Sequence, residues 1–462
     1  MPSSPTRRRR ERAMTAKTNT LPPFADRFDA AAAGLPGRGR AWLDALRDEA
    51  RVAYRDAGLP GPAVEAWKYT NLNRLRRAGF APETAPAAVE TVPVGSALSV
   101  EAYQAVLVNG RFRPDLSALP EADAGVEVLG FADALKREPA LLESRFGRIA
   151  PPAGLPLVAL NTALAADGLV IRFAKGKTAA RPVHVVSIGA AGDAPVMFQP
   201  RLLIVAEEGS NGCVLESHIA AGDGVYFSNG VAEVAVERGA SLRHYALQNE
   251  HPSAFHLATA TASLAEGAQY DSFVLQVGGR LARREIHALI GGRRATCRLN
   301  GAYLLRGEQH ADNTTVIDHA APGGTSRELY KGVIDGMARG VFQGKILVRR
   351  DAQKTDGHQL NKALLLSQGA EIDSKPELEI YADDVKCGHG ATAGELDDDA
   401  LFYLRSRGID AETARGLLVD AFVGEAIEQI EHEAARAAFR RIVDGWLAEG
   451  RADKQRDKDG GR

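Results

Sequence analysis

Residues 371–394 read EIDSKPELEIYADDVKCGHGATAG, and the chain changes character at this stretch. Before it, short β-branched runs alternate with glycine-bearing turns, whereas the pattern after it is that of long helices. Its segment 376–381 alternates apolar and acidic residues with a period of two, which predicts a strand. The stretch therefore predicts the end of a β-rich region, next to a helical segment.

Cys387 and His389, within this stretch, are the candidate ligand pair. If the backbone is extended, side chains two residues apart project to the same side. Thiolate together with imidazole suits iron, zinc or copper, and Gly388 and Gly390 allow a close approach of the backbone. Residue type alone favours structural roles, a small buried hydrophobe and a hydrogen-bonded histidine. Two ligands do not complete a metal site, so the others must come from elsewhere in this chain or from another chain.

Length and composition are those of a globular protein. The chain has 462 residues, 25% charged and 45% hydrophobic, with a net charge of -2. This balance gives no general attraction to nucleic acid or to an anionic membrane, and no apolar run is long enough for a membrane span. Cys213, Cys297 and Cys387 are widely spaced, which excludes a disulfide framework and fits a reducing compartment.

The two termini are predicted to be disordered. Residues 1–23 carry the run Arg7–Arg10, but no apolar segment follows it, so a secretory signal is not expected. Either Met1 or Met14 could be the start of the protein. Residues 451–462 are mostly charged and are predicted to form a disordered tail.

Residues 24–167 are predicted to form a mainly helical N-terminal domain. The apolar residues of 42–54 recur with a helical period, and 155–164 is an apolar run of helical length. Asn109-Gly110 is a strong hairpin signal between them. The segment EAWKYT at 65–70 places two aromatic residues close together; they are expected to anchor the helical region, and a ligand-stacking patch is the alternative.

Residues 168–394 are predicted to form the core. A recurring turn contains Gly209, Gly239 and Gly267, at spacings of 30 and 28 residues, and a further copy contains Gly369. Turns at such spacing indicate stacked coils, a parallel β-helix. A double barrel such as a bicupin, or a large sandwich, is the alternative for so many short strands.

The sequence contains no complete nucleotide-binding loop of the phosphate-binding type. Gly176-Lys177-Thr178 resembles the end of a phosphate-binding loop, but Ile171 stands where that loop needs glycine. Gly344-Lys345 is followed by isoleucine instead of a hydroxyl residue. The chain is therefore not expected to hydrolyse nucleotides.

Three further histidines lie among aspartates in the β-rich region, without the close spacing of a metal motif. A structural role is favoured for each of them, namely His310, His319 and His358.

Residues 395–450 are predicted to form a C-terminal helical domain. Asp397 and Asp410 are suited to cap helices, and Gly408 is suited to end one. The helices are amphipathic. Packing on the chain's own core and docking of a partner both remain open.

Two segments carry a family resemblance. Residues 371–392, followed by LFYLRSRGI at 401–409, resemble the SufB/SufD family of iron–sulfur cluster assembly proteins. The segment 65–70 resembles the N-terminal signature of the SufD branch. SufB-type chains carry a Glu-His-Glu-Ala-Thr-type stretch where this chain has CGHGAT at 387–392, which favours the SufD branch. The resemblance covers roughly residues 24–450.

The resemblance implies a mainly β fold, a right-handed parallel β-helix between helical terminal domains. It implies a cytoplasmic, non-enzymatic scaffold subunit that pairs with a SufB-like paralogue and with SufC-like ABC ATPases, the latter through the C-terminal helices. A cysteine desulfurase would supply sulfur, and His389 with Cys387 would hold iron or a transient iron–sulfur cluster at the SufB-like interface. Reduced flavin can bind such complexes, although no flavin motif is assignable here. A stand-alone β-rich metalloenzyme, of cupin or β-helix type, is the competing function.

Overall fold

The computed structural model describes residues 21–82, 88–93 and 95–460. Most of the N-terminal segment predicted to be disordered, including Arg7–Arg10 and Met14, lies outside these residues. Among the described residues, no helix is long and apolar enough to cross a membrane.

Apart from short 3-10 helices, the part of the described chain before Gly168 contains six α-helices and four short strands. In order they are α1 (Phe28–Ala32), α2 (Ala41–Ala57), α3 (Asn73–Arg77), β1 (Ala81–Pro82), β2 (Tyr103–Val108), β3 (Arg111–Phe112), β4 (Val126–Gly130), α4 (Phe131–Arg137), α5 (Pro139–Arg145) and α6 (Pro156–Leu164). Helices α2 and α6 confirm the two predicted from periodicity and length. The predicted hairpin is β2–β3, and both its turn residues have the positive φ that a tight two-residue turn requires: 48° at Asn109 and 75° at Gly110.

Seventeen strands follow within the described residues. They are β5 (Gly168–Phe173), β6 (Val183–Gly189), β7 (Val196–Phe198), β8 (Arg201–Ala206), β9 (Asn211–Ala220), β10 (Tyr226–Val236), β11 (Ser241–Asn249), β12 (Phe255–Leu264), β13 (Gln269–Gln276), β14 (Leu281–Ile290), β15 (Thr296–Leu305), β16 (His310–His319), β17 (Thr325–Ile334), β18 (Arg339–Val348), β19 (Asp356–Leu365), β20 (Glu371–Ile380) and β21 (Lys386–Gly394).

These strands alternate between two parallel sheets. The first sheet runs β20-β18-β16-β14-β12-β10-β8-β5-β4, and the second runs β21-β19-β17-β15-β13-β11-β9-β6-β2-β3. From β8 onward each coil adds one strand to each sheet, while the short β7 pairs with β1 and β10 beside this path. Apolar side chains such as Ile204, Val234 and Ile286 fill the space between the sheets. This confirms the predicted parallel β-helix. The double barrel and the sandwich were wrong alternatives, because both consist of antiparallel strands.

The predicted glycine turns stack in a row along one corner. Gly209, Gly239 and Gly267 have φ values of 66° to 68°. The amide of each donates to a carbonyl in the turn of the next coil. Arg294 and Lys354 continue the row with positive φ, which a side chain makes costly.

The copy of the turn at Gly369 belongs to the opposite corner. It precedes β20 of the first sheet, whereas the other copies precede strands of the second sheet. The sequence pattern alone did not separate the two corners, because both use a glycine followed by a small residue.

The N-terminal helices cover the outer face of the first sheet. Trp67 is buried there, and the guanidinium of Arg283 from β14 lies 4.0 Å from its ring centroid. Trp67 thus has the anchoring role that the sequence predicted for the segment 65–70. Strands β2 and β4 extend the two sheets into the part of the chain before Gly168. The division of the chain into independent domains remains a prediction.

Three helices follow β21, namely α7 (Asp398–Ser406), α8 (Ala411–Ile427) and α9 (Glu433–Gly460). The predicted caps are present: the carboxylates of Asp397 and Asp410 accept backbone N–H groups from the first turns of α7 and α8, and Gly408 follows α7 with a φ of 88°. The backbone of α9 continues as helix to Gly460, through a segment predicted to be a disordered tail. Alanine, lysine, arginine and glutamine in this segment favour a helix, whatever their charge.

Candidate functional site

The last coil of the β-helix positions Cys387 and His389 at an open end. Strand β21 is the terminal strand of the second sheet and pairs with β19, in a register that aligns Gly357 with Cys387 and Gln359 with His389. Strand β20 ends the first sheet in the same way, and no residue of either strand is fully buried. Such edge strands present unpaired backbone groups that another chain can pair with.

Cys387 points toward the interior of the β-helix. A Cβ added at Gly357, its neighbour on β19, would lie 3.6 Å from the Cys387 sulfur and 3.5 Å from a side-chain carbon of Ile346 in the opposite sheet. Leu378 belongs to the same cluster. Desolvation by this partial burial raises the pKa of the Cys387 thiol, and the Asp356 carboxylate raises it further. The thiol therefore needs a metal ion or a cation before it becomes a thiolate ligand.

His389 lies two residues farther along the same extended strand, so its side chain is on the same face as Cys387. It is exposed at the mouth of the β-helix. The two glycines face the other way: a Cβ at Gly388 would lie 3.3 Å from the Nδ1 of His358, and one at Gly390 would lie 2.9 Å from a methyl of Leu360. The glycines thus make room on the outer face of the strand, rather than beside His389.

A buried carboxyl group lies in the same row of side chains as His389. The register aligns Glu328, Gln359 and His389 on three successive strands. Glu328 is 4% exposed, and burial raises its pKa to about 8, an effect that Thr315 only partly offsets. It therefore carries its proton at neutral pH. Glu328 was not predicted from the sequence. The available signal was its spacing of two residues from Ser326 and from Tyr330, which are buried on the same face of β17.

The three other candidate histidines make separate local contacts. The Nε2 of His310 lies 3.0 Å from the Thr70 hydroxyl, and that of His319 lies 2.9 Å from the Ser326 hydroxyl. Burial lowers the pKa of His319 to about 4. Only His358 borders the same cleft as His389, a space of about 490 Å³ beside helix α8. Among the described residues, no three His, Cys, Asp or Glu side chains are arranged to hold a metal ion.

Helices α8 and α9 pack on the outer face of the second sheet. Val423 and Phe439 are buried there, and the Phe439 ring lies 5.2 Å from that of Phe273 on β13. Lys331 of β17 forms an ion pair with Glu425 of α8. These two helices therefore pack on the chain's own core, which is one of the two alternatives that the sequence left open.

Helix α7 differs from α8 and α9, because none of its residues is buried. Phe402 is 73% exposed and Tyr403 is 56% exposed. We call these two consecutive residues of α7 the aromatic patch. Large apolar side chains grouped on a surface indicate an interaction site.

Family comparisons agree with this geometry. The family model "SUF system FeS cluster assembly, SufBD core domain" matches residues 187–422, and the model "SufBD protein N-terminal region" matches residues 19–185.

Relatives at 30% identity or more extend over most of the chain. An iron-sulfur cluster assembly SufBD family protein of Synechocystis is 30% identical over 83% of this chain and 87% of its own length. The iron-sulfur cluster assembly protein SufD of Escherichia coli is 33% identical over 82% of this chain and 87% of its own. The chloroplastic protein ABCI7 of Arabidopsis thaliana is 34% identical over 62% of each chain.

Proposed function

The chain belongs to the SufBD family of iron–sulfur cluster assembly proteins, and we propose that it acts there as a cytoplasmic scaffold subunit without catalytic activity of its own. In this proposal its partners are a SufB-like paralogue, SufC-like ATPase subunits and a cysteine desulfurase system. The open end of the β-helix, with Cys387 and His389 facing the same side, is the observation that carries the proposal.

The SufB-like paralogue would occupy the open end. Strands β20 and β21 end the two sheets, so a second β-rich chain could pair with their free edges. Cys387 and His389 supply at most two ligands, whereas iron–sulfur clusters are held by about four. The remaining ligands would come from the paralogue. A nascent cluster, as the cargo of the complex, would thus form between the two chains and could leave when they move apart.

The ATPase subunits would bind the C-terminal helices. The aromatic patch supports this, since Phe402 and Tyr403 are exposed while α8 and α9 hold the segment on the β-helix. The chain has no complete phosphate-binding loop, so nucleotide hydrolysis would take place on the partner. This sequence carries no flavin-binding motif, so any reduced flavin in the complex would bind at residues that no motif identifies.

The test is coexpression of this chain with a SufB-like paralogue and a SufC-like ATPase, followed by anaerobic purification. The mass of the complex should show all three subunits. We expect His389→Ala to leave assembly of the complex intact, because one exposed imidazole contributes little to a large interface. Its bound iron and sulfide should fall severalfold, because an iron that lacks a ligand is held weakly.

Cys387→Ala separates two roles for the thiol. A loss equal to that of His389→Ala would make Cys387 a ligand, and a smaller loss would leave the paralogue as the main thiolate donor. His251→Ala is the matched control, an exposed histidine in the turn between β11 and β12, where its ring hydrogen-bonds with Ser253. Unchanged iron and sulfide in His389→Ala would contradict the proposed site. A monomer that turns over a small substrate would instead support the competing function, a stand-alone metalloenzyme.

A further inference from the structure

A groove rich in arginine lies beside the chain segment that follows Trp67. It is formed where the chain segment after Trp67 meets the starts of β14, β16 and β18, and its volume is about 470 Å³. Its polar and aromatic lining includes Tyr69, Arg74, Arg77, Arg280, His310 and Arg339. We call it the arginine groove. This size is typical of sites for small ligands.

The positive charge of the arginine groove is only partly neutralised. Arg339 donates to the Asp373 carboxylate at 2.8 Å, and Arg74 lies 3.6 Å from Glu308 in a solvent-exposed pair. Arg77 and Arg280 are exposed and form no ion pair with any described residue. Guanidinium groups that converge on a groove without internal partners bind phosphate and similar oxyanions through paired N–H donors.

His310 adds a hydrogen-bond acceptor to this groove. The hydroxyl proton of Thr70 is given to the buried Asp312 carboxylate, so the Thr70 oxygen must accept from His310 Nε2, 3.0 Å away. Asp312 is held in turn by Arg283 and by the Thr314 hydroxyl. This chain of contacts fixes the tautomer and leaves Nδ1 of His310 as the ring nitrogen available to a ligand.

The environment of His310 keeps that nitrogen unprotonated. Desolvation is the largest effect and lowers the His310 pKa. The carboxylates of Asp312 and Asp373 oppose it, the guanidinium groups of Arg339 and Arg283 add to it, and the net shift of the pKa is downward. A neutral imidazole with its Nε2 proton already donated can only accept at Nδ1. The groove therefore combines cationic donors with an imidazole acceptor, besides the Glu308 carboxylate that pairs with Arg74, and a ligand with both a negative charge and a hydroxyl matches it.

We propose that the arginine groove binds a hydroxyl-bearing phosphate anion, either inorganic phosphate or a small phosphate ester with a free hydroxyl. The arginines would contact the phosphate oxygens, and His310 Nδ1 would accept the hydroxyl proton. Sulfate has the same charge and shape as the phosphate dianion but carries no proton to donate at neutral pH. The site should thus distinguish the two anions. This proposal does not depend on the cluster-assembly site, which lies at the end of the β-helix.

The test is calorimetric titration of the purified full-length chain at pH 7.5 and constant ionic strength with inorganic phosphate, sulfate and ribose 5-phosphate. Phosphate should bind at least tenfold more tightly than sulfate. Tighter binding of ribose 5-phosphate would identify a small ester as the ligand, and weaker binding would identify inorganic phosphate; either result supports the site. Equal affinities for sulfate and phosphate, or no phosphate binding, would overturn the proposal.

Variants locate the binding in the groove. Arg77→Ala and Arg280→Ala should each weaken phosphate binding about tenfold, the usual cost of a charge-assisted hydrogen bond. Arg350→Ala, an exposed arginine in the turn before β19, is the matched control and should change nothing. His310→Phe should keep anion binding but lose the preference for phosphate over sulfate. Phosphate binding that both arginine variants leave unchanged would place the anion elsewhere and refute the site, even if His310→Phe failed to fold.

Discussion

Glu328→Gln should stabilise the chain increasingly as the pH rises. Neither carboxyl oxygen of Glu328 has a hydrogen-bond partner of good geometry among the described residues, and the neighbouring Thr315 hydroxyl has none either. Burying an ionised carboxylate in such a place is costly, so the folded chain keeps Glu328 protonated. Glutamine has nearly the same shape as the protonated acid and has no proton to lose.

The sign and size follow from linkage. In the unfolded chain the Glu328 pKa is near the ordinary glutamate value of 4.5, and in the folded chain burial raises it to about 8. Between these values the folded chain binds the extra proton, so wild-type stability falls with rising pH. Below pH 4.5 the penalty is absent, and above pH 8 it is complete. At 1.36 kcal/mol per pKa unit, the full penalty is about 5 kcal/mol, and roughly 3 kcal/mol is present at pH 7.

The assay is urea denaturation of wild type and Glu328→Gln at pH 5, 6.5 and 8, followed by tryptophan fluorescence. The free-energy difference between the two proteins should grow by several kcal/mol from pH 5 to pH 8, whatever its offset at pH 5. Glu143→Gln, at an exposed position on α5, controls for the loss of one negative charge. A difference that stays constant across this range would show that Glu328 is ionised in the folded chain, and the account of its burial would be wrong.

Two further predictions concern the surfaces that surround the β-helix. Trp67→Ala should lower the free energy of unfolding by about 4 kcal/mol, since it opens a cavity and removes the Arg283 contact. Tyr69→Ala should cost much less, because Tyr69 is only half-buried. Urea denaturation measures both costs, and equal values would contradict the anchoring role of Trp67. The double variant Phe402→Ser with Tyr403→Ser should keep the thermal midpoint of wild type yet lose capture of a SufC-like ATPase in a pull-down, and undiminished capture would remove the aromatic patch from the proposal.

The structure also shows why point variants are the better test of the C-terminal helices. Truncation at Leu396 would remove α7, α8 and α9 together. In the structure α8 and α9 bury Val423 and Phe439 against Phe273 and Val333 of the second sheet. Removing both helices would expose that apolar face, so loss of a partner after truncation could reflect aggregation rather than a missing contact.

Local signals in the sequence predicted much of the fold. Gly209 and Gly239 adopt a positive φ that favours glycine, so the spacing of glycines in the sequence predicted the stacked corner. In the same way, Asn109-Gly110 predicted the hairpin. Arg294 and Lys354 lie in the same corner but were not predicted from the sequence. A residue other than glycine that adopts a positive φ gives no signal in the amino-acid composition. The role of Glu328 was also invisible, since its raised pKa depends on which coils lie above and below it.

The placement of Cys387 and His389 illustrates the limit of such signals. Their spacing predicted a shared face but not which face, and the glycines between and beyond them suggested closeness to a ligand. In the structure Gly388 and Gly390 accommodate His358 and Leu360 of the adjacent strand instead. Register with β19 decides this, and register is a property of two strands that neither sequence segment contains alone.

The two ends of the β-helix differ in how their last strands are covered. This difference gives a reason why the chain would need a partner. At the N-terminal end, β3 and β4 pair antiparallel with β2 and β5 and so end the stacking of coils. At the other end, β20 and β21 remain parallel strands with Ile380 40% and Tyr381 63% exposed, and the chain then turns to α8 and α9 on the outer face. A stack of coils that ends without a polar cap is prone to association. A monomer would thus carry an uncovered end, and pairing with a second β-rich chain would cover it while enclosing Cys387 and His389.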